Sequence, residues 1–322
     1  MLHVRLNVPA AKVEPVLDVI DDEPTVANLV VVPGASRKPP GDLVLFDLAR
    51  ESASRVIERL RALDLHHSGA IAFDEVEVIL SDAAARAEKA APGRPADAVI
   101  WDGVEARTAE DSKLSWSFTV FLVLATLIAG IGRYLDQPIL IVGAMVVGPE
   151  FVAVAAICFG LTRWKVRLVA TAAGTLAAGF GIAISIAIAW WWTADVFGWI
   201  SREKAGTGPQ TDFIIHPDVW SFVIALLAGV AGVLSLTAAK SATLVGVFIS
   251  VTTVPAAGTI GLTVATGLWG EARNSLLQLL LNLGGMLLSG TLTLLVQRVV
   301  WSRIRMPDGP TSRTVDRVDR RR

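Results

Sequence analysis

Few residues in this chain combine a reactive type with a telling position, and Glu150 leads them. It stands at the centre of an otherwise apolar run, Pro138 to Leu161, directly after Gly148 and Pro149. An ionisable group inside hydrocarbon costs at least about 2.5 kcal/mol and faces a cavity or a partner. Two compatible roles follow: binding a proton or cation, or capping a half-helix that starts at Pro149, where the positive dipole end favours a carboxylate. A second apolar run, Ala242 to Ala265, carries the hydroxyls Ser250, Thr252 and Thr253 beside Pro255, without a charge. Asn282, inside a third run, suits a hydrogen bond across helices, a structural role first. These eight residues form the expected ion or solute site.

Other chemistries lack their residues. His66 and His67 come without a cysteine or carboxylate pattern and read as solvated turn histidines. Cys158 is the single cysteine and lies in an apolar run, so neither a disulfide nor a CxxC site is expected. There is no H-E-x-x-H pair, no G-x-S-x-G elbow and no P-loop, and His216 falls in a loop. The expectation is a protein that is not an enzyme, with no catalytic residues, metal or cofactor. A net charge of −1 at pH 7 speaks against nucleic acid as a partner.

The elements that must position the site are membrane helices. The chain is 53% hydrophobic over 322 residues, and the apolar residues crowd after Leu114. Six stretches approach the roughly 20 residues that a span requires: 114–132, 138–161, 168–192, 220–239, 242–265 and 276–299. Trp116, Trp190, Trp191, Trp192, Trp220 and Trp301 mark span ends, where indole rings favour headgroups. Six crossings place both termini on one side, which would carry Lys113, Arg163, Lys165, Arg167, Lys240, Arg298, Arg303 and Arg305. The other side holds Arg133, Arg202, Lys204 and Arg273. The positive-inside rule then predicts a multi-pass protein of the inner (plasma) membrane with cytoplasmic termini. The transmembrane domain is expected over 114–301, followed by a basic, disordered tail over 302–322.

Pro149 and Pro255 both fall near the middle of a span, the second and the fifth. Trp164 and Arg167 follow the first proline at nearly the spacing with which Trp269 and Arg273 follow the second. Three spans per half require the halves to be inverted, so the pattern predicts a 3+3 inverted repeat with two discontinuous helices. Proline is also common in membrane helices, and a kink can serve packing alone.

Ahead of the spans, 1–82 has the mixed composition of a soluble domain. Leu2, Val4, Leu6 and Val8 alternate as a strand rather than forming a leader. Val13, Val16, Leu17 and Ile20 then space as a helix face, and strands follow at Leu29–Val32 and Leu43–Phe46. A second helix carries Val56, Ile57, Leu60 and Leu63, and a last strand is expected at Val76, Val78 and Leu80. This βαββαβ order is that of an α+β ferredoxin-like domain, similar to small regulatory domains of the ACT type. Residues 83–113 read as a linker, with room for some helix.

Ile141-Val142-Gly143-Ala144-Met145 followed by Pro149, Leu244-Val245-Gly246-Val247 ahead of Pro255, and Leu281-Asn282-Leu283 together resemble the domain-of-unknown-function family 389 over about Phe118 to Val299. The resemblance implies a multi-span hydrophobic protein and no particular activity. The chain departs from that pattern in having Val254 before Pro255 where two prolines are usual, and Glu150 where apolar residues are usual. Two functions fit the sequence. The first is a membrane transporter or channel-like protein with a midplane site for an ion or small solute, regulated or assembled through the soluble domain. The second is a non-transporting sensor or scaffold whose soluble domain binds a ligand or partner. Gly130, Gly132, Gly229 and Gly232 let helices approach closely and suit a repeat interface or a homo-oligomer. The lipid bilayer is the one partner the composition demands.

Overall fold

The computed structural model describes residues 1–76, 78–91, 93, 99–215, 218–237 and 252–303. Ser250, Lys240, His216, the 244–247 block and the tail from 304 lie outside them. Backbone contacts divide the chain into two units, Met1–Ile100 with the residues from Gln297 onward, and Trp101–Val296.

The first unit runs β1 (Leu2–Pro9), α1 (Val13–Asp21), β2 (Val26–Arg37), β3 (Pro40–Leu48), α2 (Ala53–Ala62), a single turn α3 (Leu65–Ser68), β4 (Ala70–Glu75) and α4 (Asp82–Ala90). Its four strands form an antiparallel sheet of order β2-β3-β1-β4. The expected alternation is observed: Leu2, Val4, Leu6 and Val8 are buried against Val16 and Ile20 of α1 and Val56, Ile57 and Leu60 of α2. Burying each such side chain stabilises the fold by about 1.5–3 kcal/mol. The last strand is a correction. It lies at Ala70–Glu75, where Phe73 pairs with Val4 and Ile71 with Leu6. Pairing runs out as Val76 donates to Met1 O at 3.4 Å, so Val78 and Leu80, despite their alternation, are exposed.

The second unit holds α5 (Trp101–Asp111), α6 (Trp116–Tyr134), α7 (Pro138–Val147), α8 (Glu150–Thr162), α9 (Val166–Val196), a single turn α10 (Arg202–Ala205), α11 (Val219–Thr237) and α12 (Thr253–Ala265). It also contains most of α13 (Trp269–Arg303). By length and composition, four helices among the described residues can cross a membrane: α6, α9, α11 and the Trp269–Val300 part of α13. The pair α7 and α8, bent by 53° at its break, would make a fifth span. α9 and α13 run beyond the stretches 168–192 and 276–299 expected for them. At 1.5 Å per residue α9 measures about 46 Å, well beyond the roughly 30 Å of hydrocarbon.

α5 packs on the end of α8: Lys165 pairs with Glu105, the Arg163 guanidinium lies 5.8 Å from the Trp101 ring centre, and Trp101 meets Phe159. Trp116, Trp220, Trp190 and Trp192 face outward as span-end residues should, but Trp191 is buried against Tyr134 and Gly130. Helical rotation accounts for the difference, since neighbours in sequence sit about 100° apart on a helix.

α12 is closely enclosed, with Thr253 to Thr263 all buried. Its fit depends on small residues. A Cβ on Gly258 would stand 2.6 Å from both Gly130 N and Thr126 O of α6, and one on Gly261 would stand 2.6 Å from Ala187 Cβ of α9. α8 is enclosed in the same manner from other helices, with Phe151 over Gly232 of α11 and Cys158 against Gly290 of α13. The obstacles at Gly258 are backbone atoms, which cannot swing aside. Gly258→Ala is therefore expected to lose about 1–3 kcal/mol of stability, read by thermal unfolding in detergent. Gly143→Ala, with nothing within 4 Å of the added carbon, is the control and leaves the transition in place.

Candidate functional site

α7 ends because Gly148 and Pro149 follow it, and Pro149 serves as the N-cap of α8, which makes Glu150 the first helical residue. The break at Pro149 is as expected. Pro255 marks no such break. α12 begins at Thr253, after Thr252 in the left-handed region with φ 49°, and Pro255 lies inside the first turn. Proline is tolerated there because the first N–H groups of a helix have no partner within it. Trp269 and Arg273 therefore do not correspond to Trp164 and Arg167.

The two helix starts meet. Glu150 is fully buried and Thr253 Oγ1 donates to its Oε1 at 2.7 Å. Two 13-residue helices thus bring their positive dipole ends to one carboxylate, which offsets both. Gly148 makes room for it, since a Cβ there would overlap the Glu150 carboxylate and come within 2.7 Å of Val254. Beside Thr253, Thr252 Oγ1 accepts from Asn282 Nδ2 and, at 3.3 Å, from Gln278 Nε2. The structure joins Glu150, Gly148, Pro149, Thr252, Thr253 and Asn282 as expected. Pro255 is in the same turn, and Ser250 lies outside the described residues.

Sequence reasoning missed Gln278 and Ser275. With Asn282 they form an i, i+3, i+7 polar stripe in an apolar helix, a legible signal for one buried face. All three are fully buried, and Gln278 Oε1, Asn282 Oδ1 and Ser275 Oγ have no hydrogen-bond partner among the described residues. The constellation offers one carboxylate, hydroxyls and amide oxygens, the hard donors that suit a proton or a small cation. A buried carboxylate is tolerated only with donors, a cation or a proton at hand.

Three sequence expectations change. Arg133, expected as a charge on the far side, is buried: Nη1 donates to Gly208 O at 3.0 Å and Thr211 Oγ1 at 2.8 Å, and Nη2 lies 3.2 Å from Asp212. With Asp136, whose carboxylate accepts from Gln210 N and Thr211 N, it holds the loop before α11. Gly130, Gly132, Gly229 and Gly232 all take contacts within the chain, from Trp191, Ile141, Met286 and Phe151 respectively. That removes them as support for a subunit interface. Finally, His66 and His67 do have a carboxylate beside them, Asp64, all three exposed, and Lys12 already pairs with it at 3.4 Å.

Thr253→Val deletes the donor to a buried carboxylate and is expected to cost about 1.5–3 kcal/mol, the range for a hydrogen bond to a charged group. Thr253→Ser keeps the hydroxyl and most of the stability. Thermal unfolding of both variants at neutral pH reads the difference; equal losses would mean that shape, not the bond, matters at this position.

Residues 145–288 match the model of a family described as a domain of unknown function, DUF389. An uncharacterised protein of Methanocaldococcus jannaschii is 29% identical over 172 residues, 53% of this chain. The match takes in 51% of the relative, so the chain spans about half the length of the curated protein it matches. No solved structure matches the chain. The whole buried constellation, from Gly148 to Asn282, falls within 145–288, and it is along this segment that the chain resembles the DUF389 family.

Proposed function

We propose that the chain is a membrane transporter or channel-like protein whose ion site is the constellation around Glu150, between two discontinuous helices. The observation that carries this reading is a fully buried carboxylate at the meeting of two helix starts, bonded to Thr253 and neighboured by amide and hydroxyl oxygens. Half-helix ends of this kind hold ions in secondary transporters. A proton or a cation is the ligand such oxygens favour.

The inverted repeat belongs to the same proposal, in a register different from that of the prolines. Trp116 and Val219, Glu150 and Thr253, and Val166 and Trp269 each open a helix, and each pair lies 103 residues apart. α6 and α11 have 19 residues each, and α8 and α12 have 13 each. Both short helices end alike. Trp164 and Gly267 are left-handed, and Lys165 N donates to Gly160 O, as Leu268 N does to Thr263 O, each at 2.8 Å. The contacts Gly261–Ala187 and Cys158–Gly290 are equivalent under the same shift. Three spans per half make such a repeat inverted, and the fifth span rests on the apolar composition of 242–265.

α5 meets the α8–α9 turn, which agrees with α6 crossing and the α7–α8 pair returning. With the charge distribution, this supports cytoplasmic termini in the plasma membrane. The strand order β2-β3-β1-β4 supports a ferredoxin-like domain, which we assign a regulatory role.

Two measurements test the reading. Proteoliposomes with wild-type protein are expected to pass protons, Na⁺ or K⁺, and Glu150→Gln, folded by its thermal transition, to lower that flux at least ~10-fold. Absence of flux for every ion and solute tried removes transport and leaves the scaffold reading. For the repeat, an experimental structure is expected to superpose α6–α9 on α11–α13 about an axis in the membrane plane; parallel halves would reject it.

A further inference from the structure

We propose that the open face of the N-terminal sheet binds a small organic phosphate. Arg5 and Asn7 alternate with the core residues Val4, Leu6 and Val8 along β1, so they stand on the face opposite α1 and α2. Their partners across the strand pair are Leu45 and Leu43. The β2–β3 hairpin loses regular register between Val32 and Ser36, and its segment Ala35–Lys38 lines an open hollow together with Arg5, Asn7 and Leu43. The hollow measures about 350 Å³, within the roughly 300–1,000 Å³ range of small-molecule sites.

The wall chemistry selects the ligand. Arg5, Arg37 and Lys38 line the hollow without a carboxylate among its lining residues. Lys12, Arg50 and Arg55 of the same unit are paired with Asp64, Glu75 and Glu23, whereas these three cations make no ion pair with a described residue. Asp42, an acid of the same hairpin, is engaged by Gly34 N at 2.9 Å. Guanidinium groups match phosphate oxygens in a two-bond fork. Leu43 and Ala35 supply an apolar wall for an organic body, and the Asn7 amide supplies directional donors and an acceptor. A bare inorganic anion would leave that wall unused.

The test is equilibrium dialysis of the full chain in detergent against AMP, glycerol 3-phosphate and inorganic phosphate, with adenosine and glycerol as uncharged counterparts. Saturable binding of an organic phosphate is expected, tighter than that of inorganic phosphate and weakened by added salt. Arg5→Ala with Arg37→Ala should weaken it at least ~10-fold, and the matching Lys variants less. All of these side chains are exposed, so folding is not at stake. The proposal is overturned if none of the phosphates binds saturably, if the uncharged counterparts bind as well, or if the alanine variants bind like wild type. Binding of short-chain phosphatidylglycerol without binding of the soluble phosphates would assign the hollow to a lipid headgroup and overturn it too.

Discussion

Backbone that leaves a helix inside an apolar layer exposes N–H groups that water cannot reach, and everything in the Trp101–Val296 unit follows from how that problem is met. Glu150 meets it at the start of α8, and its bond from Thr253 extends the solution to the start of α12. One carboxylate thereby answers two helix ends. Thr252, turned into the left-handed region, then needs Asn282 and Gln278 as donors, and this draws the polar stripe of α13 to the same place.

Short helices at such a junction must be surrounded by protein. α8 achieves this by packing against α9, α11 and α13, and α12 by packing against α6 and α9. Glycine or alanine stands at each close approach, because only small residues let backbones come within the needed distance. The long helices, with outward-facing tryptophans and leucines, form the shell.

Where burial followed a simple period, the sequence was readable. β1, α1 and α2 announced their inward faces through alternation and i, i+3, i+4 spacing. β4 was displaced because Val76, Val78 and Leu80 also alternate, and a period cannot tell which run finds a partner strand. Glu150 was conspicuous as a charge among apolar neighbours. Gln278 and Ser275 stand out only through their i, i+3, i+7 spacing with Asn282, since single uncharged polar residues are ordinary in membrane helices. Pro255 misled for a local reason: a proline in a first turn and a proline at a break look alike until the helix start is known. Trp191 differs from Trp190 and Trp192 only through rotation about the axis, which composition at a span end does not encode.

The cover that α8 takes from helices late in the chain also bears on how the chain is made. During synthesis α8 emerges well before α11 and α13, the helices that cover its Phe151 and Cys158 faces. At about 5–20 residues per second, the lag of 103 residues between the starts of α8 and α12 lasts on the order of 5–20 s. Through that interval the Glu150 carboxylate is without its Thr253 donor, and for most of it α8 is without the α11 and α13 residues that cover Phe151 and Cys158.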